Sequence, residues 1–220
     1  MARYKNFEYQ RQLGENYCIP ACIENALTML GETNWNQNNI VEILEIEKKS
    51  INGKLRIEGK FNFNLVLRII RETDLKEKFD SLFLKREDFE NNDKYLNFID
   101  NYIKKNIPVI ISIDLNHDIE IIDIRNGKYL AQELSTNRVV PIENSSLESF
   151  ISEKISKERY SIPFHIDVHT SHSILIIDKE EPSNYEYYDP STDLIDNLTI
   201  NELLNIRSKD WNISVIFPKN

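Results

Sequence analysis

Cys18, His172, Asp189 and Gln12 are the side chains of this sequence whose types and order suit attack on an acyl carbon. A thiol attacks a carbonyl as the thiolate, which a helix N-terminus, a nearby imidazolium and donors aimed at the sulfur all favour. Cys18 stands at or just before the start of an apolar-periodic segment, so the partial positive charge of a helix end is available to it. Cys22 lies one turn on, at an interior helical position, and fits a buried apolar thiol. A single cysteine is more often of that second kind. Cys18 therefore needs a base and an orienting acid.

The chain has 4 histidines, at 117, 165, 169 and 172. His172 leads the apolar run Ser173–Asp178, where the mouth of a strand holds an imidazole rigidly. His117 follows Asn116 in a loop-like stretch. His165 and His169 lie in a less regular segment after Pro163; His117 and His165 read as surface or satisfied core histidines, and His169 is a weak competitor to His172 for the base. His165, His169 and His172 also raise a zinc reading. The segment offers neither an HExxH pattern nor helical spacing, so neither metal nor other cofactor is expected. Asp189 stands in Tyr187-Tyr188-Asp189-Pro190-Ser191, one strand beyond His172. A carboxylate at the end of the neighbouring antiparallel strand can fix the imidazole tautomer and steady its charge. Taken alone, Asp189 is equally an ordinary turn residue. Gln12 precedes Cys18 by six residues. Its amide, with the backbone N–H of Cys18, could stabilise an oxyanion, an interaction worth about 3 kcal/mol in a transition state. Gln10 is an equal candidate by composition.

The elements that position these groups follow from period and punctuation. Cys18 to Leu30 reads as a helix, with Ala21, Cys22, Ala26, Met29 and Leu30 at helical spacing, Pro20 in its first turn and Gly31 as its stop. Asn38–Lys49, Asn62–Arg71 and Asp93–Lys105 read as further helices. Ile107–Asp114 is then a nearly continuous apolar run, as in a buried strand. Ile119–Ile124 and Lys128–Leu134 flank Asn126-Gly127, a strong hairpin signal. Arg138–Ile142 reads as a strand, Ser146–Lys157 as a helix, and Ser173–Asp178 and Tyr185–Tyr188 as strands. Ile200–Ile206 is a short helix and Trp211–Phe217 the last strand. Helices first and strands later predict an α+β fold, a helical half packed on an antiparallel sheet.

Bulk properties narrow the setting. A chain of 220 residues suits one domain, here 1–220 with an insertion at approximately 116–170. The net charge of -9 disfavours phosphate backbones, so no nucleic-acid partner is expected. No run approaches the ~18 apolar residues of a membrane span. The opening MARYKNFEYQRQ lacks the apolar centre of a secretory signal, which predicts a cytoplasmic chain. The 2 cysteines are read as free thiols in a reducing compartment.

Gln12-Leu-Gly-Glu-Asn-Tyr-Cys18-Ile-Pro-Ala-Cys22 resembles the opening motif of the C39 and C39-like peptidases, papain-fold enzymes that include the leader-cleaving domains of bacteriocin exporters. In that motif a Gln precedes the nucleophilic Cys by six residues, and Ala and Cys follow after a short gap. Downstream, Ile107-Pro-Val-Ile-Ile111, His172 leading Ser-Ile-Leu-Ile-Ile177, and Asp189-Pro190 are similar to the family's strand, base and acid segments. The resemblance implies Cys18 as nucleophile, His172 as base, Asp189 as orienting acid, Gln12 as oxyanion donor and Cys22 as a packing residue. Two departures stand out. Ile19 occupies a position where the family usually has Gly, and is expected to narrow one side of the cleft or alter the oxyanion geometry. The stretch between Cys18 and His172 is also longer than in the compact exporter domains.

The leading expectation is a cysteine peptidase acting on a peptide or isopeptide bond of a peptide or protein substrate. A papain-fold acyltransferase or amidase using the same triad, and a non-catalytic interaction module of the same fold, stay open. A protein partner engaged through residues 116–170 is a further expectation.

Overall fold

The computed structural model describes residues 7–51, 53–58, 64–125, 128–133, 139–141, 151–152, 164–180, 183–206 and 212–219. The chain forms two compact units, Met1–Ile113 with Ser171–Asn220, and Asp114–Thr170.

The first helix of the first unit, α1 (Cys18–Met29), begins on the candidate nucleophile. Pro20 falls among the first four residues, whose N–H groups have no partner within the helix, so its missing donor costs nothing. The helix stops where Gly31 adopts φ +91, a conformation open to a residue without Cβ, and Glu32 N–H donates to Leu27 O at 2.9 Å. A helix of 12 residues is marginal alone, so its stability comes from the face it buries. Ile19, Cys22, Ile23, Ala26 and Leu27 join a core with Leu65, Ile69 and Ile70 and with sheet residues Ile110, Leu175, Ile177, Tyr188 and Ile216.

The remaining elements of this unit follow in order. They are α2 (Gln37–Ile43), β1 (Glu47–Ile51), β2 (Lys54–Glu58), α3 (Asn64–Arg71), β3 (Phe79–Leu84) and α4 (Asn92–Ile103). β4 (Val109–Arg125) leaves this unit for the second, where β5 (Lys128–Glu133) and β6 (Val139–Pro141) lie, and β7 (Phe164–Glu180) returns. Then come β8 (Asn184–Asp189), β9 (Leu194–Thr199), α5 (Ile200–Ile206) and β10 (Ile213–Pro218). The main sheet has the order β3-β10-β4-β7-β8-β9, and β1 and β2 form a separate antiparallel hairpin. The ladders of β10 with β3 and β4, and of β8 with β7 and β9, are antiparallel, which makes the fold α+β as expected.

The central strands are covered on both faces. Ile110, Leu175 and Ile216 join the α1 core, while their neighbours Ile111, Ile174, Ile176 and Val215 are also buried. α4 covers the second face: Tyr102 packs on Phe217 with ring centroids 5.9 Å apart, and Asp100 accepts from Lys179 Nζ and Tyr185 Oη, each at 2.6 Å. Burial on both faces explains why these strands read as unbroken apolar runs.

In the second unit, Arg125 pairs with Lys128 as the Asn126-Gly127 signal requires, and the ladder continues to Ile119↔Glu133. β6 pairs with β5, and Tyr129 Oη hydrogen-bonds Ser152 Oγ at 2.8 Å. Ile151 and Ser152 are helical; the rest of the helix predicted over Ser146–Lys157 lies outside the described residues, as do Asn126, Gly127 and Trp211.

Two sequence expectations need correction. The helix predicted over Asn38–Lys49 ends at Ile43, because Glu45 turns into the left-handed region at φ 54 and the chain leaves as β1. His172 is not at the mouth of its strand but well inside it, since β7 starts at Phe164. Phe164, Ile166 and Val168 alternate with polar residues, the two-residue period of a strand.

Candidate active site

α1, β7 and β8 bring Cys18, His172 and Asp189 together. Tyr17 precedes the helix without a side-chain cap, so the first-turn N–H groups keep their field for an anion at Cys18. Cys18 is partly exposed. Burial pushes its thiol up, but a hydrogen bond and the charge of His172, with backbone and hydroxyl donors of Ser173, outweigh it and bring the thiol below its ordinary value.

His172 is buried and its Nε2 lies 2.8 Å from Asp189 Oδ1. A carboxylate only accepts, so Nε2 carries the proton and Nδ1 is left for the sulfur. Burial pushes the imidazole down, yet the hydrogen bonds and charges of Asp189 and Cys18 prevail and raise it to about 9. Asp189 is in turn pushed up by burial and brought below the usual carboxylate range by His172 and Ser191. This is the electrostatic pattern of a thiolate–imidazolium pair held by a carboxylate.

The turn carrying Asp189 is fastened from several sides. Ser191 donates to Asp189 Oδ1 through its N–H at 2.8 Å and its hydroxyl at 2.7 Å. The hydroxyl of buried Tyr188 donates to Asp193 Oδ1 at 2.8 Å, and Asp193 N–H donates to Asp189 O at 2.9 Å. Tyr9 stacks on Tyr188 at 4.4 Å between centroids. Gln12 N–H donates to Pro190 O at 2.9 Å, which ties the candidate oxyanion donor to the same turn. The Gln12 side chain donates from Nε2 to Gly14 O at 3.1 Å. Gln10, the competitor by composition, is exposed and donates from Nε2 to Glu8 O at 3.3 Å.

Cys22 behaves as the other kind of thiol. It is fully buried, its Sγ donates to Ser173 O at 3.6 Å, and burial followed by the charges of Cys18 and Asp189 raises it well above the ordinary thiol value. For Ile19 the expectation of a narrowed cleft is not met. Its side chain is 5% exposed and lies in the α1 core, so it adds no bulk to an open cleft. The side chains of His117, His165 and His169 lie outside the described residues.

Ser173 and Ser191 are site residues that the sequence expectations do not include. Ser191 had a signal: Asp-Pro-Ser puts a hydroxyl and an N–H two residues beyond a carboxylate, the spacing of an Asx turn. Ser173 had none, because strand polarity alone does not mark a donor aimed at sulfur. Among the described residues, no helix is long and apolar enough to cross a membrane.

Comparison with known proteins adds a family to this geometry. No curated protein matches the chain, and no solved structure does. The model of the Peptidase_C39 like family matches residues 4–193, from before Gln12 to the last residue of the turn that follows Asp189. That span covers most of the sequence and the family is the one its opening motif resembles, so the chain belongs to the Peptidase_C39 like family of cysteine peptidases.

Proposed function

We propose that the protein hydrolyses a peptide or isopeptide bond through a Cys18–His172–Asp189 triad with Gln12 as an oxyanion donor. The observation that carries this is His172, buried between Cys18 and the Asp189 carboxylate 2.8 Å away. The Cys18 thiolate attacks the carbonyl carbon and the oxygen takes the charge. The Cys18 N–H and the Gln12 amide stabilise that oxyanion. As the C–N bond breaks, the His172 imidazolium gives its proton to the leaving amine. His172 then takes a proton from water, the hydroxide displaces sulfur from the thioester, and the thiolate is restored. Asp189 holds the tautomer throughout.

The acyl-enzyme is shared with a papain-fold acyltransferase or amidase, so the second half-reaction distinguishes them. Trapping the thioester on Cys18 and offering water or an amine tests the proposal. Release of free acid at an unchanged rate with amine present supports hydrolysis, and resolution by amine alone contradicts it. A non-catalytic module of this fold would form no acyl-enzyme at all.

We read residues 1–220 as one peptidase domain with an insertion at approximately 116–170. The separate compactness of Asp114–Thr170 supports that division. A protein partner or substrate region engaged through this insertion is part of the same proposal.

A further inference from the structure

Gln12 sits in a segment without helix or strand of its own, yet an oxyanion donor must be fixed to a fraction of an ångström. Two buried amides supply what the segment lacks. Gln37, 2% exposed, accepts from Leu13 N–H at 2.9 Å and donates from Nε2 to Arg11 O at 2.9 Å. Its backbone is set by the first turn of α2, where Asn36 and Asn39 close a reciprocal cap, and its Nε2 also meets Glu24 of α1 at 2.9 Å. Asn25, fully buried on α1, accepts from Gln10 N–H at 2.8 Å and donates to Gln10 O at 2.9 Å. The residues before and after Gln12 are thus gripped by side chains, while its own N–H is taken by Pro190 O. The loop beyond is pressed on β2 so closely that a Cβ at Gly14 would lie 2.0 Å from Leu55 O. Gln12 Nε2 donates one hydrogen to Gly14 O, and a primary amide has a second, the one that the function proposed above assigns to an oxyanion.

We propose that Gln37 and Asn25 are positioning residues of the oxyanion site: they lock the backbone on either side of Gln12 and act on the reaction through its amide. This rests on the triad reading above and goes beyond it.

The test compares two small probes of Cys18. Alkylation by iodoacetamide needs the thiolate but no oxyanion donor, whereas acylation by p-nitrophenyl acetate needs both. Gln37→Met keeps the volume and removes both grips. It should slow acylation at least ~10-fold, as loss of a positioned donor does, with alkylation within about twofold of wild type. In a Gln12→Ala background, Gln37→Met should have little further effect, because the two act as one unit. Equal slowing of both probes, no slowing of acylation, or multiplicative losses in the double variant would overturn the proposal. If Gln37→Met does not fold by circular dichroism, Asn25→Asp decides by the same criteria, since it keeps the acceptor for Gln10 N–H and loses the donors. If wild-type Cys18 alkylates as an ordinary thiol and is not acylated, the triad reading itself fails, a result distinct from failure of the grip.

Discussion

Cys18 and Cys22 stand one turn apart on α1, and both meet Ser173, yet their environments drive them in opposite directions. At Cys18 the chain offers an uncapped helix end, an imidazole and the N–H and hydroxyl of Ser173, so the thiolate is favoured. At Cys22 burial comes first and the charges of Cys18 and Asp189 add to it, so the thiol stays protonated, and its Sγ donates to the Ser173 carbonyl. A shift of one helical turn separates a nucleophile from a core residue. The helix-end field fades within that turn, and the strand presents donors to one sulfur and an acceptor to the other.

The contrast can be broken most severely by exchanging the roles. Cys18→Ala should reduce turnover of p-nitrophenyl acetate by at least ~10⁴-fold, and His172→Ala by a similar factor, since members of a triad act as a unit. Cys22→Ala should leave turnover within a few-fold of wild type. Equal loss from both cysteines would remove the distinction, and an active His172→Ala variant alongside an inactive His169→Ala would move the base.

Asp189→Asn comes next, with a loss of about 10²- to 10⁴-fold. The pH profile adds a sign. His172 is raised to about 9, partly by this carboxylate, so wild-type activity should fall on the alkaline side as His172 loses its proton. On the acid side it should fall as the thiolate is protonated, below the ordinary thiol range. Removing the carboxylate should move the alkaline limb to lower pH; an unmoved limb would detach Asp189 from His172.

Much of this contrast was legible in the sequence, and the missing parts share a cause. Cys18 and His172 could be read because each is a rare type beside a strong local signal, a helix start or an apolar strand, whereas Asp189 and Gln12 gained meaning only from their order and spacing relative to those two and from the motif they resemble. The α+β division could be read because the covered strands are unbroken apolar runs. The grips were not legible. Asn25 and Gln37 act on backbone groups 15 and 24 to 26 positions away, which composition does not encode. A polar residue three positions from Cys22 on the buried face of α1 was the available hint. β1 was missed because Glu47-Lys48-Lys49 has helix-forming side chains, and pairing with β2 overrode that local preference.

Smaller effects sharpen the comparison. Ser191→Ala removes one of the donors on Asp189 Oδ1 and should cost about 1 kcal/mol, roughly fivefold in kcat, with the N–H of residue 191 still in place. Cys22→Ala should show its cost in stability instead. About 1 kcal/mol is expected from the lost packing and the lost bond to Ser173 O, a fall in Tm of about 2–4 °C by calorimetry.

The pH dependence of iodoacetamide alkylation, mapped by peptide mass to each cysteine, tests the Cys18–His172 pair most directly. Labelling should occur at Cys18 and not at Cys22, with a rate that titrates below the ordinary thiol range and loses that shift in His172→Ala. Equal labelling of both cysteines, or a Cys18 rate that titrates at the ordinary thiol value with or without His172, would contradict it.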